Sequence, residues 1–197
     1  MKVDCLSSEN VNLVRIIRGL RSEAFEGKIA FGNTELKRAV EFDNFDIVYS
    51  DSIPVGYSFF FFGNQLNPDL RRLTNILLDC AYNSEQRKKF ISRNPDEFYS
   101  FYENDFTKQG LSLGPNDGYL YCLGVLPEFR GWGFGKSLMK NFIKKSKDNN
   151  SSAVYLDCWC GSPTAENFYY SLGFNPIVKT ENYFEDGSAS LFMGKRV

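Results

Sequence analysis

The stretch YLYCLGVLPEFRGWGFGKSL, residues 119–138, decides how this 197-residue chain is organised. Residues 119–126 are rich in aromatic and branched side chains, which is typical of a buried β-strand, and Pro127 ends the run because it has no backbone N–H. Three alternating glycines then lead into apolar residues at helical spacing. The order strand, glycine-rich turn, helix predicts an anion site, because free N–H groups and the helix dipole favour negative charge at a helix start.

The glycines of this turn give the backbone conformations that other residues resist and let a ligand approach closely. Arg130 adds a permanent positive charge beside them. The spacing Gly-Trp-Gly-Phe-Gly, residues 131–135, matches neither the dinucleotide fingerprint nor the P-loop. Taken alone, the turn is equally compatible with a tight structural turn that binds nothing.

A longer pattern, V-x-P-x-x-R-G-x-G-x-G-x-x-L, resembles the acyl-CoA signature of the GNAT family of N-acetyltransferases. The matching residues are Val125, Pro127, Arg130, Gly131, Gly133, Gly135 and Leu138. A second block, AENFYYSLGF at 165–174, is similar to the family's A-x-x-F-Y-x-x-x-G-F segment. The resemblance implies an α/β fold with a mixed, mostly antiparallel central sheet flanked by helices, and acetyl-CoA as cosubstrate.

Composition narrows the classes of function. A net charge of -1 gives no broad positive field, so nucleic acid is not an expected partner. No apolar run approaches the roughly 20 residues that span a bilayer, and the N-terminus lacks a signal-peptide pattern, so we expect a cytoplasmic protein with one domain over 1–197 and no membrane partner. Cys158 and Cys160 have no histidine to complete a zinc site, so no metal is predicted.

Periodicity and capping signals predict the remaining elements. We expect strands at 2–6, 153–160, 174–179 and 188–193, a hairpin of 45–50 with 53–62, a helix after Ser7 or Ser8, a helix from Asn33 or Thr34, and a helix from Pro163. The last two strands should form a hairpin around 185–187. Four phenylalanines, 59–62, predict a strand buried on both faces.

Residues 64–116 have helical character and lie between the third and fourth predicted strands. Pro68 suits a first helical turn ahead of Leu70, Leu73 and Leu77, and Asn94-Pro95 should open another helix through residues 98–102. In the family that this chain resembles, a short connection commonly joins the flanking strands. The sequence therefore predicts a helical insertion, and both an acceptor-binding role and a purely structural role stay open.

The resemblance implies acyl transfer to an amine by direct attack in a ternary complex. Such an attack requires a base, and an ordinary aspartate near pKa 3.9 lies about 6.5 units below a lysine amine near 10.4. Asp157 is the predicted base: strand alternation places it on one face with Tyr155 and Trp159, and it matches the acidic position of ribosomal-protein N-terminal acetyltransferases. A hydrogen-bonded polar residue at a strand end is an equally open interpretation.

Tyr169 is the predicted acid, since a phenol near pKa 10 can protonate a thiolate whose acid has a pKa near 8.5, and the resemblance places this tyrosine at the CoA sulfur. A packed ring at Tyr169, with Tyr170 as the acid, is the alternative. A covalent route through Cys160 is weaker because no histidine or lysine adjoins it.

The predicted CoA contacts begin with the strand end, whose backbone would bind the pantetheine amides. Ser162 stands where the family often has asparagine. The full set is Leu123, Gly124, Val125, Arg130, Gly131, Trp132, Gly133, Phe134, Gly135, Lys136 and Ser162.

These residues predict an acetyl-CoA-dependent N-acetyltransferase acting on a primary amine of a small molecule or a protein. A noncatalytic acyl-CoA-binding sensor or interaction module on the same fold is the alternative. A homodimer is compatible with either prediction.

Overall fold

The computed structural model describes residues 2–5, 33–95, 98–161, 163–184 and 187–197. The helix predicted after Ser7 or Ser8, the proposed CoA contact Ser162 and the hairpin tip at 185–186 lie outside the described residues. The strands are β1 Lys2–Cys5, β2 Phe45–Ser50, β3 Ile53–Phe62, β4 Tyr99–Phe101, β5 Gly118–Val125, β6 Ala153–Trp159, β7 Asn175–Thr180 and β8 Ser190–Arg196. The helices are α1 Asn33–Glu41, α2 Pro68–Tyr82, α3 Ser84–Arg93, α4 Phe134–Asp148 and α5 Pro163–Ser171, with 3-10 turns at Thr107–Gln109 and Pro127–Phe129.

The chain divides into two compact units. The first holds the described residues up to Phe61 together with Leu120–Asp148. Its strands follow the order β1-β2-β3-β5, and the β1–β2 and β2–β3 pairs are antiparallel. The β2–β3 hairpin has the predicted bounds, and its turn residues Asp51 and Ser52 have φ of +46° and +70°, as a tight two-residue hairpin turn requires.

The core of this unit contains the phenylalanine run. Phe59, Phe60 and Phe61 are at most 2% exposed. The Phe60 ring packs on Phe142 of α4 with centroids 5.0 Å apart, whereas the Phe59 and Phe61 rings pack on Tyr121. The predicted burial of this strand on both faces is therefore confirmed over Phe59–Phe61, whereas Phe62 is half-buried.

The second unit holds Phe62–Tyr119 and Asn149–Val197. Its strands follow the order β6-β8-β7-β4, and all three pairs are antiparallel. With the first unit, this arrangement confirms the predicted mixed α/β class with a mostly antiparallel sheet and flanking helices. No helix of the described residues is long and apolar enough to cross a membrane.

Residues 64–116, the predicted insertion, carry the helices α2 and α3, and the start of α2 is as predicted. Asn67 caps it by accepting a hydrogen bond from the Asp69 N–H at 2.9 Å, and Pro68 occupies the first turn. Leu70 and Leu77 are half-buried, and Leu73 is exposed. The buried residues of α2 are Thr74, Leu78, Cys80 and Ala81.

The hydroxyl of the buried Thr74 has a hydrogen-bond partner inside the helix. It donates to the Leu70 carbonyl at 2.8 Å, which lets a small polar side chain occupy the buried face. Beside it, the Asn75 side chain accepts a hydrogen bond from the Leu113 N–H at 2.8 Å and ties α2 to the segment that precedes β5.

The prediction of a helix after Asn94-Pro95 is wrong for residues 99–101, because these residues form strand β4. Tyr99 pairs with Thr180 and Phe101 with Val178 of β7. The Tyr102 N–H donates to the Ile177 carbonyl at 3.0 Å and extends the pairing. The open edge of β7 supplies partners for the backbone of this short aromatic run, and that tertiary contact overrides its helical spacing.

Candidate active site

The glycine turn lies between β5 and α4, as the sequence predicts. Gly131 and Gly133 have φ of +82° and +87°, a region that side-chain-bearing residues rarely adopt, and a Cβ at either position would meet nothing within 4 Å. Glycine is therefore needed here for backbone conformation rather than for lack of space. Gly135 already lies in the first turn of α4.

The turn presents a run of unused backbone donors. Among the described residues, no backbone N–H from 131 to 136 donates a hydrogen bond, and the first helical bond runs from the Ser137 N–H to the Gly133 carbonyl at 3.0 Å. Donors at the start of a helix have no partner within the helix and lie at the positive end of its dipole. The segment therefore has the donor set of an anion site.

Packing holds the turn in place. Phe134 and Leu138 of α4 lie in a buried cluster with Val48, Val55 and Val125, and the half-buried Leu123 packs against it. The Arg130 side chain donates through Nε to the Val125 carbonyl at 3.1 Å, which ties the turn to the end of β5. This predicted cation therefore also has a structural contact.

The other predicted CoA residues differ in exposure. Trp132 is 75% exposed and Lys136 is exposed, so both present their side chains to solvent. Gly124, by contrast, lies where two strands pack closely. A Cβ on Gly56 of β3 would lie 2.8 Å from the Gly124 carbonyl oxygen of β5.

In the second unit, Asp157 occupies the middle of a side-chain hydrogen-bond group. Its carboxylate accepts hydrogen bonds from the Tyr119 hydroxyl and, at 3.0 Å, from the Ser190 hydroxyl. Burial raises the pKa of Asp157 above its ordinary value, and the two hydrogen bonds oppose that rise without cancelling it. We call Asp157, Tyr119 and Ser190 the carboxylate group.

Tyr119 and Ser190 are the functional-site residues that sequence reasoning missed. Tyr119 is 38 residues before Asp157 and Ser190 is 33 residues after it. Asp157 lies opposite Phe192 of β8, and the Tyr119 and Phe192 rings stack with centroids 6.4 Å apart. These side chains are far apart in the sequence and meet only through the pairing of the strands. The sequence offers one signal for Tyr119, which is its position near the start of β5.

Tyr169 is the buried residue of α5, at 9% exposure. Its ring makes edge contacts with Phe168 and Phe174 at centroid distances of 5.1 and 5.9 Å. Tyr170 is 42% exposed. The structure thus fixes the Tyr169 ring firmly, and its role as an acid stays a prediction.

The two neighbouring cysteines have the character of buried thiols. Burial, followed by the negative charge of Glu166, raises the pKa of Cys160 to about 12, which disfavours the thiolate that a covalent route needs. Cys158 is buried, and desolvation raises the pKa of its thiol further. Within the described ranges, no set of three or more His, Cys, Asp or Glu residues is arranged to hold a metal ion.

Residues 70–174, more than half of the chain, match the family model described as the acetyltransferase (GNAT) family. The chain belongs to the GNAT family. The match begins inside the insertion and ends at Phe174, so it includes both the glycine turn and the Tyr169 helix of this GNAT protein.

Two curated relatives of this GNAT protein carry related names. An N-alpha-acetyltransferase of Sulfurisphaera tokodaii is 30% identical over 39% of this chain and 46% of its own length. A ribosomal protein bS18-alanine N-acetyltransferase of Haemophilus ducreyi is 31% identical over 37% and 52%. The chain thus spans about half the length of the curated relatives it matches.

The fold is similar to that of a solved structure, Arabidopsis thaliana Naa50 in complex with the bisubstrate analogue CoA-Ac-MVNAL. The TM-score is 0.62 at 16% identity, and the match covers 100% of this chain and 98% of the Naa50 chain. At this identity, the likeness concerns the fold of the GNAT protein alone.

Proposed function

We propose that this protein transfers an acetyl group from acetyl-CoA to a primary amine by direct attack in a ternary complex. The observation that carries the proposal is the carboxylate group: a half-buried Asp157 that accepts hydrogen bonds from two hydroxyls and whose desolvation raises its pKa, in a GNAT chain with a row of backbone amides that donate no hydrogen bond within the described residues. A module that only bound acyl-CoA would need the amides and would have no use for such a carboxylate.

Acetyl-CoA supplies the acetyl group as an activated thioester. The backbone amides 131–136 fit its diphosphate, because consecutive N–H donors at a helix start bind phosphate oxygens. Arg130 and Lys136 add positive charge near these donors. In this proposal, Leu123, Gly124 and Val125 bind the pantetheine amides through their backbone, and Ser162 contributes a hydroxyl.

Asp157 accepts the proton of the attacking ammonium. Burial raises its pKa, which narrows the gap of about 6.5 units that separates an ordinary aspartate from a lysine amine. The Tyr119 and Ser190 hydroxyls orient the carboxylate and stabilise its charged form, so that it stays available as an acceptor. The pKa of Asp157 is thus raised by desolvation and lowered by the two hydrogen bonds, and desolvation has the larger effect.

Tyr169 donates a proton to the departing thiolate. The N–C bond forms as the C–S bond breaks, the amine proton goes to Asp157, and the phenol proton goes to sulfur. Because thiols have lower pKa values than phenols, the tyrosinate then regains a proton from solvent or from the carboxylic acid. The edge contacts of Phe168 and Phe174 hold the ring for this step.

The acceptor that fits this base is the α-amine of a polypeptide. An α-amino group has a pKa near 8, which removes about 3 kcal/mol of the proton-transfer deficit relative to lysine. The names of these two curated relatives, an N-alpha-acetyltransferase and a ribosomal protein bS18-alanine N-acetyltransferase, support this acceptor class. A small-molecule amine of similar pKa is the competing acceptor.

An acceptor panel tests the proposal. Each reaction contains acetyl-CoA and one of three acceptors: a lysine-free peptide with a free N-terminus, the same peptide with a blocked N-terminus and one lysine, and a set of small amines. We expect free-thiol release, with a mass increase of one acetyl group confined to the free α-amine. Binding of CoA with no thiol release above hydrolysis for any acceptor would favour the acyl-CoA sensor.

We further expect a cytoplasmic protein that has no nucleic-acid or membrane partner and that can form a homodimer. Fractionation and light scattering of the full chain would test these expectations.

A further inference from the structure

Trp159 makes an unusual pair of contacts at the end of β6. Its indole lies directly over the backbone of Gly161: a Cβ on that glycine would be 1.9 Å from the indole Cζ2 atom and 2.3 Å from Cε2 and Cη2. The indole N–H donates to the Ser188 hydroxyl. One side chain therefore contacts both the segment that follows β6 and the segment that precedes β8.

The backbone joins the same two segments. The Cys160 N–H donates to the Ala189 carbonyl at 2.9 Å, and Trp159 lies opposite Ser190 in the β6–β8 register. Ser188 in turn closes the loop between β7 and β8, since its carbonyl accepts from the N–H groups of Tyr183 and Phe184 at 3.0 and 3.1 Å. We call Trp159, Gly161 and Ser188 the indole clamp.

The indole clamp adjoins the carboxylate group. Asp157 and Trp159 are two residues apart on one strand and therefore lie on the same face. Ser190, which donates to Asp157, is the residue opposite Trp159. The indole of Trp159 and the described segment 187–189 that precedes β8 therefore lie beside the carboxylate that the proposed reaction uses.

We propose that Trp159 is a positioning residue: its indole fixes the β7–β8 loop against the turn after β6 and so sets the wall along which the acceptor approaches Asp157. This inference rests on the proposed acetyl transfer. Trp159 takes no part in bond making, so its loss should raise the KM for the acceptor more than it lowers kcat, with the KM for acetyl-CoA unchanged.

Substitutions at Ser188 test the hydrogen bond with little change in packing. Ser188→Ala removes the acceptor of the indole N–H and should raise the acceptor KM about three- to tenfold, the range of one lost hydrogen bond. Ser188→Thr keeps a hydroxyl and should restore the wild-type KM. Ser92→Ala, which removes a side-chain bond to the Lys89 carbonyl on α3, is the matched control and should leave all constants unchanged.

A double-mutant cycle tests the packing contact. Gly161→Ala forces a Cβ into the indole and should raise the acceptor KM in the wild-type background, whereas in a Trp159→Leu background the same change should have little further effect. Equal effects of Gly161→Ala in both backgrounds, or a rise confined to the KM for acetyl-CoA, would overturn the proposal.

Hydrogen exchange of the amides at 181–184 and 187–189 separates this inference from the proposed function. Ser188→Ala should speed exchange in these segments and not in α3, whatever the acceptor is. Unchanged exchange would refute the indole clamp even in an active enzyme. Faster exchange in a protein that acetylates no acceptor would instead show that the proposed function is wrong while the contact is real.

Discussion

The glycine turn and the carboxylate group are built in opposite ways. The turn uses backbone amides of consecutive residues, 131–136, on an exposed surface, and its glycines are needed for their positive φ. The carboxylate group uses three side chains from distant parts of the chain, and burial sets the chemistry of its central acid. A candidate site built from the backbone of neighbouring residues can be recognised in the sequence as a motif. A candidate site built from side chains far apart in the sequence can be recognised only in the folded structure.

The largest expected effect is the loss of turnover in Asp157→Asn, which should leave CoA binding at the glycine turn intact. Asp157→Asn removes the proposed base while keeping its size, so kcat should fall about 100- to 10,000-fold. Calorimetry should show unchanged CoA affinity, because the amides of the turn are untouched. Asp69→Asn, at an exposed position on α2, is the control for the loss of one carboxylate. A parallel loss of CoA binding in Asp157→Asn would show that the two regions do not act separately.

The converse change acts on the turn. Gly133→Val places a β-branched residue at φ +87°, which costs about 1–3 kcal/mol, so CoA should bind roughly 5- to 150-fold more weakly. Isothermal calorimetry measures this directly.

Gly110→Val is the matched control for Gly133→Val, since Gly110 also has positive φ, at +62°, and lies outside the turn. It should lower thermal stability and leave CoA affinity intact. Equal weakening of CoA binding by both variants would point to general destabilisation rather than to the turn.

A smaller effect probes the balance inside the carboxylate group. The rate kcat/KM should rise with pH as Asp157 ionises, at a pH above that of an ordinary aspartate because its pKa is raised. Tyr119→Phe removes a hydrogen bond that lowers this pKa, so the rise should move to still higher pH, with about a tenfold lower rate on the acid side. A pH–rate profile that stayed in place would remove Tyr119 from the site.

The smallest effect concerns charge at the turn. Lys136 is exposed, so its attraction to a CoA phosphate is screened, and Lys136→Ala should weaken CoA binding by no more than about fivefold. Raising the salt concentration should shrink the difference between the two proteins. A loss that persists at high salt would indicate a buried or bidentate contact instead.

The sequence was sufficient where local signals and burial agree. The β2–β3 hairpin was predicted residue for residue, because two runs of apolar and aromatic residues flank a two-residue turn at Asp51 and Ser52. The capped start of α2 at Asn67 was equally clear. In both cases the signal lies within a few residues of the element it determines.

Prediction failed where a distant partner decides. The strand state of 99–101 depends on the edge of β7. The carboxylate group shows the same limit, since nothing near Asp157 in the sequence indicates Tyr119 or Ser190. Asp157 itself was predicted from strand alternation and from its resemblance to an acidic family position.

Strand β4 has a consequence for solubility. An uncovered strand border can recruit strands of other molecules into aggregates, and β7 would present such a border over Val178–Thr180 without its partner. The three residues of β4 pair with these three residues of β7, and a strand this short offers few backbone groups for pairing with another molecule. We therefore expect β4 to protect the edge of β7 from pairing with another molecule, so deleting residues 64–116 should lower the concentration at which the protein precipitates.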